Sequence, residues 1–348
     1  VQTCALPILN MKKIGLSALA GSLAMVSANA VELAVSGKTE VTYLSHDSNT
    51  TTGNPFGFGN AISFTGSGDM NGMTGSYFAA INDGGGAGFA SSEISLDMGA
   101  MGTIGLDQGI GSYGVATIDD KMPYAYEEIW TYTGAANGLR ADGGATNVLG
   151  YKNTFAGYTL NVEINPGSGA TTKEAATAVA AVKSGDGGSS GATTTNNGYN
   201  WALTGSPIDG LNVGVGYGKE ESTLTTTNAE DTEFATAYVT YAMGGATIGY
   251  QLSEGTGGST GSTSNEAEMY GISFSVNENL AISYNVLDNT FDKAGAAAVD
   301  VTEETTGIGA SYTMGSASVR LLSAKTDNVG GVQSTNQEVT ELSLMLAF

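Results

Sequence analysis

Cysteine occurs once in the 348 residues, at Cys4, and histidine once, at His46. That leaves no His or Cys group with metal-ligand spacing and no sequence frame for a nucleophile, so catalysis finds no support. His46, in "SHDSN", reads as a loop histidine in water, and no Walker-type phosphate loop is present. Bases are scarce: 12 Lys and Arg stand against 34 Asp and Glu, and the only arginines are Arg140 and Arg320. Without clustered Lys and Arg, nucleic acid is excluded as a partner. The same imbalance serves either solubility or a negative field that attracts cations. Beyond residue 30 there is no run of 18 apolar residues, hence no membrane-crossing helix. "NDGGGAG" and "GDGGSSG" occur once each, which excludes a calcium-binding solenoid built on nine-residue repeats.

What is present begins with an export signature. Residues 11–30, "MKKIGLSALAGSLAMVSANA", combine Lys12 and Lys13, an apolar stretch and Ala28-Asn29-Ala30, the pattern of a signal peptide cut before Val31. Residues 1–10, with Cys4, read as an upstream extension. The exported part, 31–348, therefore has no disulfide and must rely on a large core or a membrane.

Within it, apolar residues alternate with polar ones. Leu33, Val35, Val41 and Tyr43 share a face, as do Leu211, Val213, Val215 and Tyr217; Tyr270, Ile272, Phe274 and Val276; and Leu280, Ile282, Tyr284 and Val286. Each segment reads as a strand with one apolar face. Connections alternate between short turns, such as Asn71-Gly72, Pro207 to Gly210 and Gly244-Gly245, and long polar stretches near 46–58, 84–89, 109–145, 165–198, 220–231, 255–265, 288–302 and 326–336. The count predicts sixteen strands in eight hairpins. A soluble sandwich has no reason to put every long loop at one end, whereas a transmembrane barrel requires it. The expected fold is all-β: a 16-stranded antiparallel transmembrane β-barrel, apolar outside and polar inside. Its final strand, "ELSLMLAF", alternates Leu342, Leu344, Leu346 and Phe348 on one face and pairs with the first strand. Phe348 then lies at the membrane interface, with Tyr43, Tyr217 and Tyr250 as further girdle members.

The leader, the following "VELAVSGKTEV", the long third loop and the terminal "LSLMLAF" make the chain resemble the outer-membrane porins of Gram-negative bacteria, most closely the general porins of the Rhodobacter type from alphaproteobacteria. The resemblance covers residues 31–348 as a pattern and is specific as local strings only at the two termini. It implies a homotrimer in the bacterial outer membrane, in contact with lipid and lipopolysaccharide, admitting small hydrophilic solutes by passive diffusion. It also implies that Leu342, Leu344, Leu346 and above all Phe348 are read by the barrel assembly machinery. The scarcity of arginine departs from relatives that cluster several.

In porins the third loop bends into the lumen. Here that loop carries "ATIDDKMPYAYEEIW", so Asp119, Asp120, Glu127 and Glu128 are expected to form the negative rim of a constriction, fixed to the wall by Tyr124, Tyr126 and Trp130. The alternative is an outer loop whose acids face water. The opposing positive charge is expected from lumen-facing Lys38, Lys152 and Arg320, or each is paired locally with a neighbour such as Glu40 or Glu163. Acids outnumber these bases, which predicts cation preference. No cofactor is expected, although the paired carboxylates could bind Ca²⁺. "KEAATAVAAVK", 173–183, has the composition of a short helix. Two other functions stay open: a substrate-specific channel, disfavoured by a lumen of mostly Gly, Ser, Thr and Asn, and a structural or adhesive barrel with a plugged interior.

Overall fold

A computed structural model of the chain describes residues 32–82, 91–139, 146–166, 197–221, 231–257, 262–293 and 299–348. The leader, Arg140 and the 173–183 stretch lie outside the described residues. Sixteen strands run in chain order: β1 (Glu32–Ser48), β2 (Phe56–Met70), β3 (Met73–Asn82), β4 (Ser91–Asp97), β5 (Thr103–Gln108), β6 (Thr146–Phe155), β7 (Tyr158–Pro166), β8 (Asn197–Ile208), β9 (Leu211–Glu220), β10 (Thr232–Met243), β11 (Ala246–Thr256), β12 (Ser262–Ser275), β13 (Leu280–Lys293), β14 (Val301–Met314), β15 (Ala317–Asp327) and β16 (Gln337–Ala347). Each pairs with its chain neighbours, and β1 pairs with β16, so the sheet is a closed barrel. The seam runs from Lys38 opposite Ala347 to Ser48 opposite Gln337. Beyond it, Gly37 and Phe348 exchange backbone hydrogen bonds of 2.7 and 2.9 Å. A Cβ at Gly37 would strike the Phe348 ring, so the terminal aromatic needs a glycine beside it.

Period-2 alternation sends Leu33, Val35, Val41, Ile94, Ile248, Ile272, Ile282, Ile308, Leu342, Leu344 and Leu346 outward, where they stay exposed. Exposed apolar surface on this scale is what hydrocarbon requires, and closure leaves no unpaired strand edge within it. Aromatic residues border the band on both sides. Toward the long loops lie Tyr43 edge-on to Phe56, Trp201 opposite Tyr217, and Tyr250 beside Tyr270. Toward the short turns lie Phe155, Tyr158, Tyr241, Phe274, Tyr312 and Phe348. The three tyrosines expected in a girdle therefore belong to the long-loop side and Phe348 to the other.

The eight long connections fall where the alternation places them, with three differences. β1 reaches Ser48 and β2 starts at Phe56, so His46 stands on a strand rather than in a loop. β11 reaches Thr256 and β12 starts at Ser262, while β13 reaches Lys293 and β14 starts at Val301, so these hairpins continue into stretches whose composition reads as loop. Threonine, serine and acidic side chains serve a strand once it stands above the apolar band. The turn expected at Pro207 to Gly210 is tighter, because β8 continues through Pro207 to Ile208 and only Asp209-Gly210 turns, with Gly210 at φ 76°.

The buried core is not in the wall. It lies inside the barrel, where Ala267, Met269, Leu287, Leu322, Ala324 and Val339 meet Met122 and Ile129 of the connection between β5 and β6. Around them pack Tyr124, Tyr126, Trp130 and Tyr132.

Candidate functional site: a loop folded into the barrel

The connection between β5 and β6, here L3, is described over residues 109–139. It begins where Asp107 accepts the backbone N–H groups of Ile110 (2.8 Å) and Ser112 (2.7 Å), turning the chain inward. Tyr113 then lies over Gly105 and Gly150; a Cβ at either would strike its ring. A 3₁₀ turn, Gly114–Thr117, follows, and its Val115 N–H donates to Asn200 Oδ1 at 2.7 Å.

From there L3 crosses the lumen side of the wall on polar rungs. Gln251 donates to the carbonyls of Ile118 (3.0 Å) and Asp119 (3.1 Å) and accepts the Lys121 N–H (2.8 Å). Asn285 donates to Pro123 O (3.2 Å), and Ser283 Oγ accepts the Ala125 N–H (3.0 Å). At the seam, the Tyr126 hydroxyl lies 3.2 Å from both Glu40 and Glu341, donating to one at a time, and Tyr132 donates to Glu341 at 3.2 Å. The loop returns past Glu303, which accepts the Ala136 N–H, while Asn265 donates to Gly138 O. Glycines 249, 271 and 307 leave room for Pro123, Met122 and Ile129. L3 thus occupies the lumen against β8–β16. The wall facing it, β2–β4, carries mainly Gly, Ala, Ser and Thr at inward positions, with Phe78 and Glu93 and, at the strand ends, Asp69, Asn82 and Asp97.

The expected constriction residues divide by environment. Asp119 has its backbone carbonyl held by Gln251 and Asn137. Asp120 lies beside Glu128; burial first, then the neighbouring Glu128 carboxylate, pushes the Asp120 carboxyl up to about 8. Burial first, then the same two carboxyls, raises the Tyr124 phenol well above its ordinary range. Glu127 is also raised, by burial and Glu128, and Arg320 and Lys38 oppose the shift. Glu128 accepts the Thr131 hydroxyl at 3.1 Å.

Of the three bases, Arg320 is the least available. Its guanidinium pairs with Glu40, donates to Ser343 Oγ at 3.0 Å and stacks on the Tyr126 ring with its centre 4.3 Å away. The local pairing with Glu40 is the alternative found here. Lys38 is exposed at an inward position two residues from Glu40 on β1. Lys152, also exposed and inward, sits opposite Thr103 at the short-turn rim. The structure therefore brings together Glu127, Glu128, Asp120, Arg320 and, by charge, Lys38, and leaves Lys152 apart. Of the expected aromatic fixings, Tyr126 is bonded to the seam, and Tyr124 and Trp130 meet edge-on with centroids 6.0 Å apart.

Sequence reasoning missed the wall side of the site: Asn200, Gln251, Ser283, Asn285, Glu303 and Glu341. It also missed the inward apolar residues Met269, Leu287, Leu322 and Val339. A signal for the latter exists, since Met269-Tyr270, Val286-Leu287 and Leu321-Leu322 are apolar doublets that interrupt the alternation, one member facing outward and one facing L3. Among the described residues, no group of three or more His, Cys, Asp or Glu is disposed to hold a metal ion. His46 Nδ1 lies 2.8 Å from Gln337 Nε2.

No family model matches the chain, and no curated protein does. Solved structures do. Salmonella typhi OmpF in complex with daunomycin superposes with a TM-score of 0.68 at 14% identity, covering 91% of this chain and 98% of that one. Vibrio cholerae OmpT, in a trimer form, gives 0.62 at 11% identity over 92% of this chain and 100% of that one. An anion-selective porin from Comamonas acidovorans gives 0.61 at 17% identity, again over 92% and 100%. At such identities the likeness establishes a shared fold, the sixteen-stranded barrel of bacterial porins.

Proposed function

We propose that the chain is a general porin of the bacterial outer membrane, most akin to the alphaproteobacterial type, that passes small hydrophilic solutes by passive diffusion. The observation that carries this reading is L3 folded into a closed barrel and facing a wall of small polar side chains. Such an arrangement narrows a water-filled passage without filling it. In this reading the chain is exported by its leader, assembles as a homotrimer, and contacts lipid and lipopolysaccharide through its outer face. The Leu342, Leu344, Leu346, Phe348 face is read by the assembly machinery.

The passage prefers cations. Asp119, Asp120, Glu127 and Glu128 stand on the loop, Arg320 is neutralised by Glu40, and Lys38 supplies the opposing charge, with Lys152 apart at the short-turn rim. Because an anion-selective porin shares the fold, selectivity has to come from the charges of each chain rather than from the barrel. Refolded protein in a planar bilayer under a salt gradient tests the proposal: conductance in steps of three with a cation-preferring reversal potential is expected. Silence from a folded barrel overturns the channel, and an anion-preferring potential overturns the charge assignment.

A further inference from the structure

On the short-turn side of L3, strands β7 to β10 and the loop enclose a recess of about 340 Å³ lined by Lys121, Thr159, Thr204, Ser206, Asn212, Tyr238 and Thr240, with Gly157 and Gly205 at its edge. All four strands contribute side chains of inward parity, and the register places them side by side: Thr159 opposite Thr204, Asn212 opposite Thr240, and Gly214 between Thr204 and Tyr238. Two internal bonds pre-set the floor. Ser206 donates to Asn212 Oδ1 at 2.6 Å, and the Thr159 and Thr154 hydroxyls meet at 2.8 Å. The edge of the Tyr238 ring lies against Gly214, where a Cβ would strike it, so the ring is held close to the wall of the recess. Above, the Lys121 backbone is pinned to Gln251, which fixes the root of its ammonium over the recess. Among the described residues, the Thr204, Tyr238 and Thr240 hydroxyls and the Lys121 ammonium make no hydrogen bond or ion pair.

We infer that this recess is a solute subsite for a neutral polyhydroxylated molecule of monosaccharide size, taken up after it passes L3. The lining chooses that class. Several uncommitted hydroxyls and an amide suit a ligand that both donates and accepts, and an aromatic face suits the C–H side of a sugar ring. A small cation meets Lys121 and no carboxylate, while a small anion meets one ammonium and must first cross the acids of L3. The inference rests on the chain being a channel.

The test uses refolded full-length barrel in a planar bilayer, with a neutral hexose added to the short-turn side and a polyethylene glycol oligomer of similar size as the comparison. Hexose should interrupt the current in resolvable, saturable events, and the glycol should lower conductance only through viscosity. Thr204→Val with Thr240→Val removes two hydroxyls without changing shape and should raise the half-blocking hexose concentration about five- to tenfold, with open-channel conductance unchanged. Lys121→Met should weaken block while leaving the barrel intact. Equal effects of hexose and glycol, or block unaltered in the double variant, overturn the subsite although current still flows. A hexuronate that blocks more strongly than hexose, with the difference erased by Lys121→Met, overturns its neutrality. Absence of any current in the wild type is instead the failure of the channel reading.

Discussion

At the scale of the residue, the pair Asp120 and Glu128 ties charge to pH. A carboxyl held near 8 is neutral below that value and charged above it, so the loop gains a negative charge as pH rises from 7 to 9. Cation preference read from the reversal potential should increase across this window with a midpoint near 8. Asp120→Asn should flatten that rise; a wild-type profile already flat from 7 to 9 would contradict the pairing. The sign for docking is opposite. A folded-state value above that of a free carboxyl means that L3 loses stability as pH climbs from the ordinary carboxylate range to about 8, then levels off. The most cation-selective state is thus also the one in which the loop is held least firmly.

At the scale of the element, L3 is held by shape as much as by bonds. A Cβ at Gly271 would lie 2.7 Å from Pro123 Cδ, so Gly271→Val should displace the middle of the loop, raising mean conductance and current noise in a barrel that still inserts. Gly59→Val, at a position on β2 with nothing within 4 Å, should leave the noise at the wild-type level. Equal noise in both variants would mean that Gly271 does not hold the loop in place. These recesses also mark the limit of what the sequence discloses. The alternation of Leu342, Leu344 and Leu346 announces β16 without help, because period 2 is written in adjacent residues. The anchors of L3 are not adjacent to it: Asn200, Gln251, Asn285 and Glu341 lie on four strands far along the chain, and each alone reads as an ordinary polar lumen residue. Gly105 and Gly150 likewise look like turn or strand glycines until Tyr113 is laid across them.

At the scale of the whole molecule, the two faces of the wall respond to charge in opposite ways. Arg substituted for outward Ile272, which lies between the two aromatic borders and opposite Ile248, should cost about 2–4 kcal/mol, measured as a lower urea midpoint for folding into liposomes. Arg substituted for inward Thr65 should leave that midpoint near wild type and change conductance instead. Similar losses at both sites would contradict the assignment of inside and outside. The global pattern was legible for this reason: a membrane imposes one rule on every strand, and sixteen repetitions of a weak local signal become a strong one. The strand lengths above the apolar band were not, since no such rule acts where both faces meet water.

The seam has a consequence in time as well as in space. Tyr126 reaches Glu40 on the first strand and Glu341 on the last, so its two partners stand together only after β1 and β16 have met. Ordering of the loop therefore follows ring closure, and the entropy of that closure is already spent when L3 settles. The two tryptophans can time the sequence, since Trp201 lies in the β8 wall and Trp130 in the loop. During refolding into vesicles, the Trp201 signal in a Trp130→Phe chain should finish first, and the Trp130 signal in a Trp201→Phe chain should lag behind it. The reverse order would mean that the loop templates the barrel. In the expected order, the passage is at its widest at the moment of insertion and narrows only once the barrel is complete.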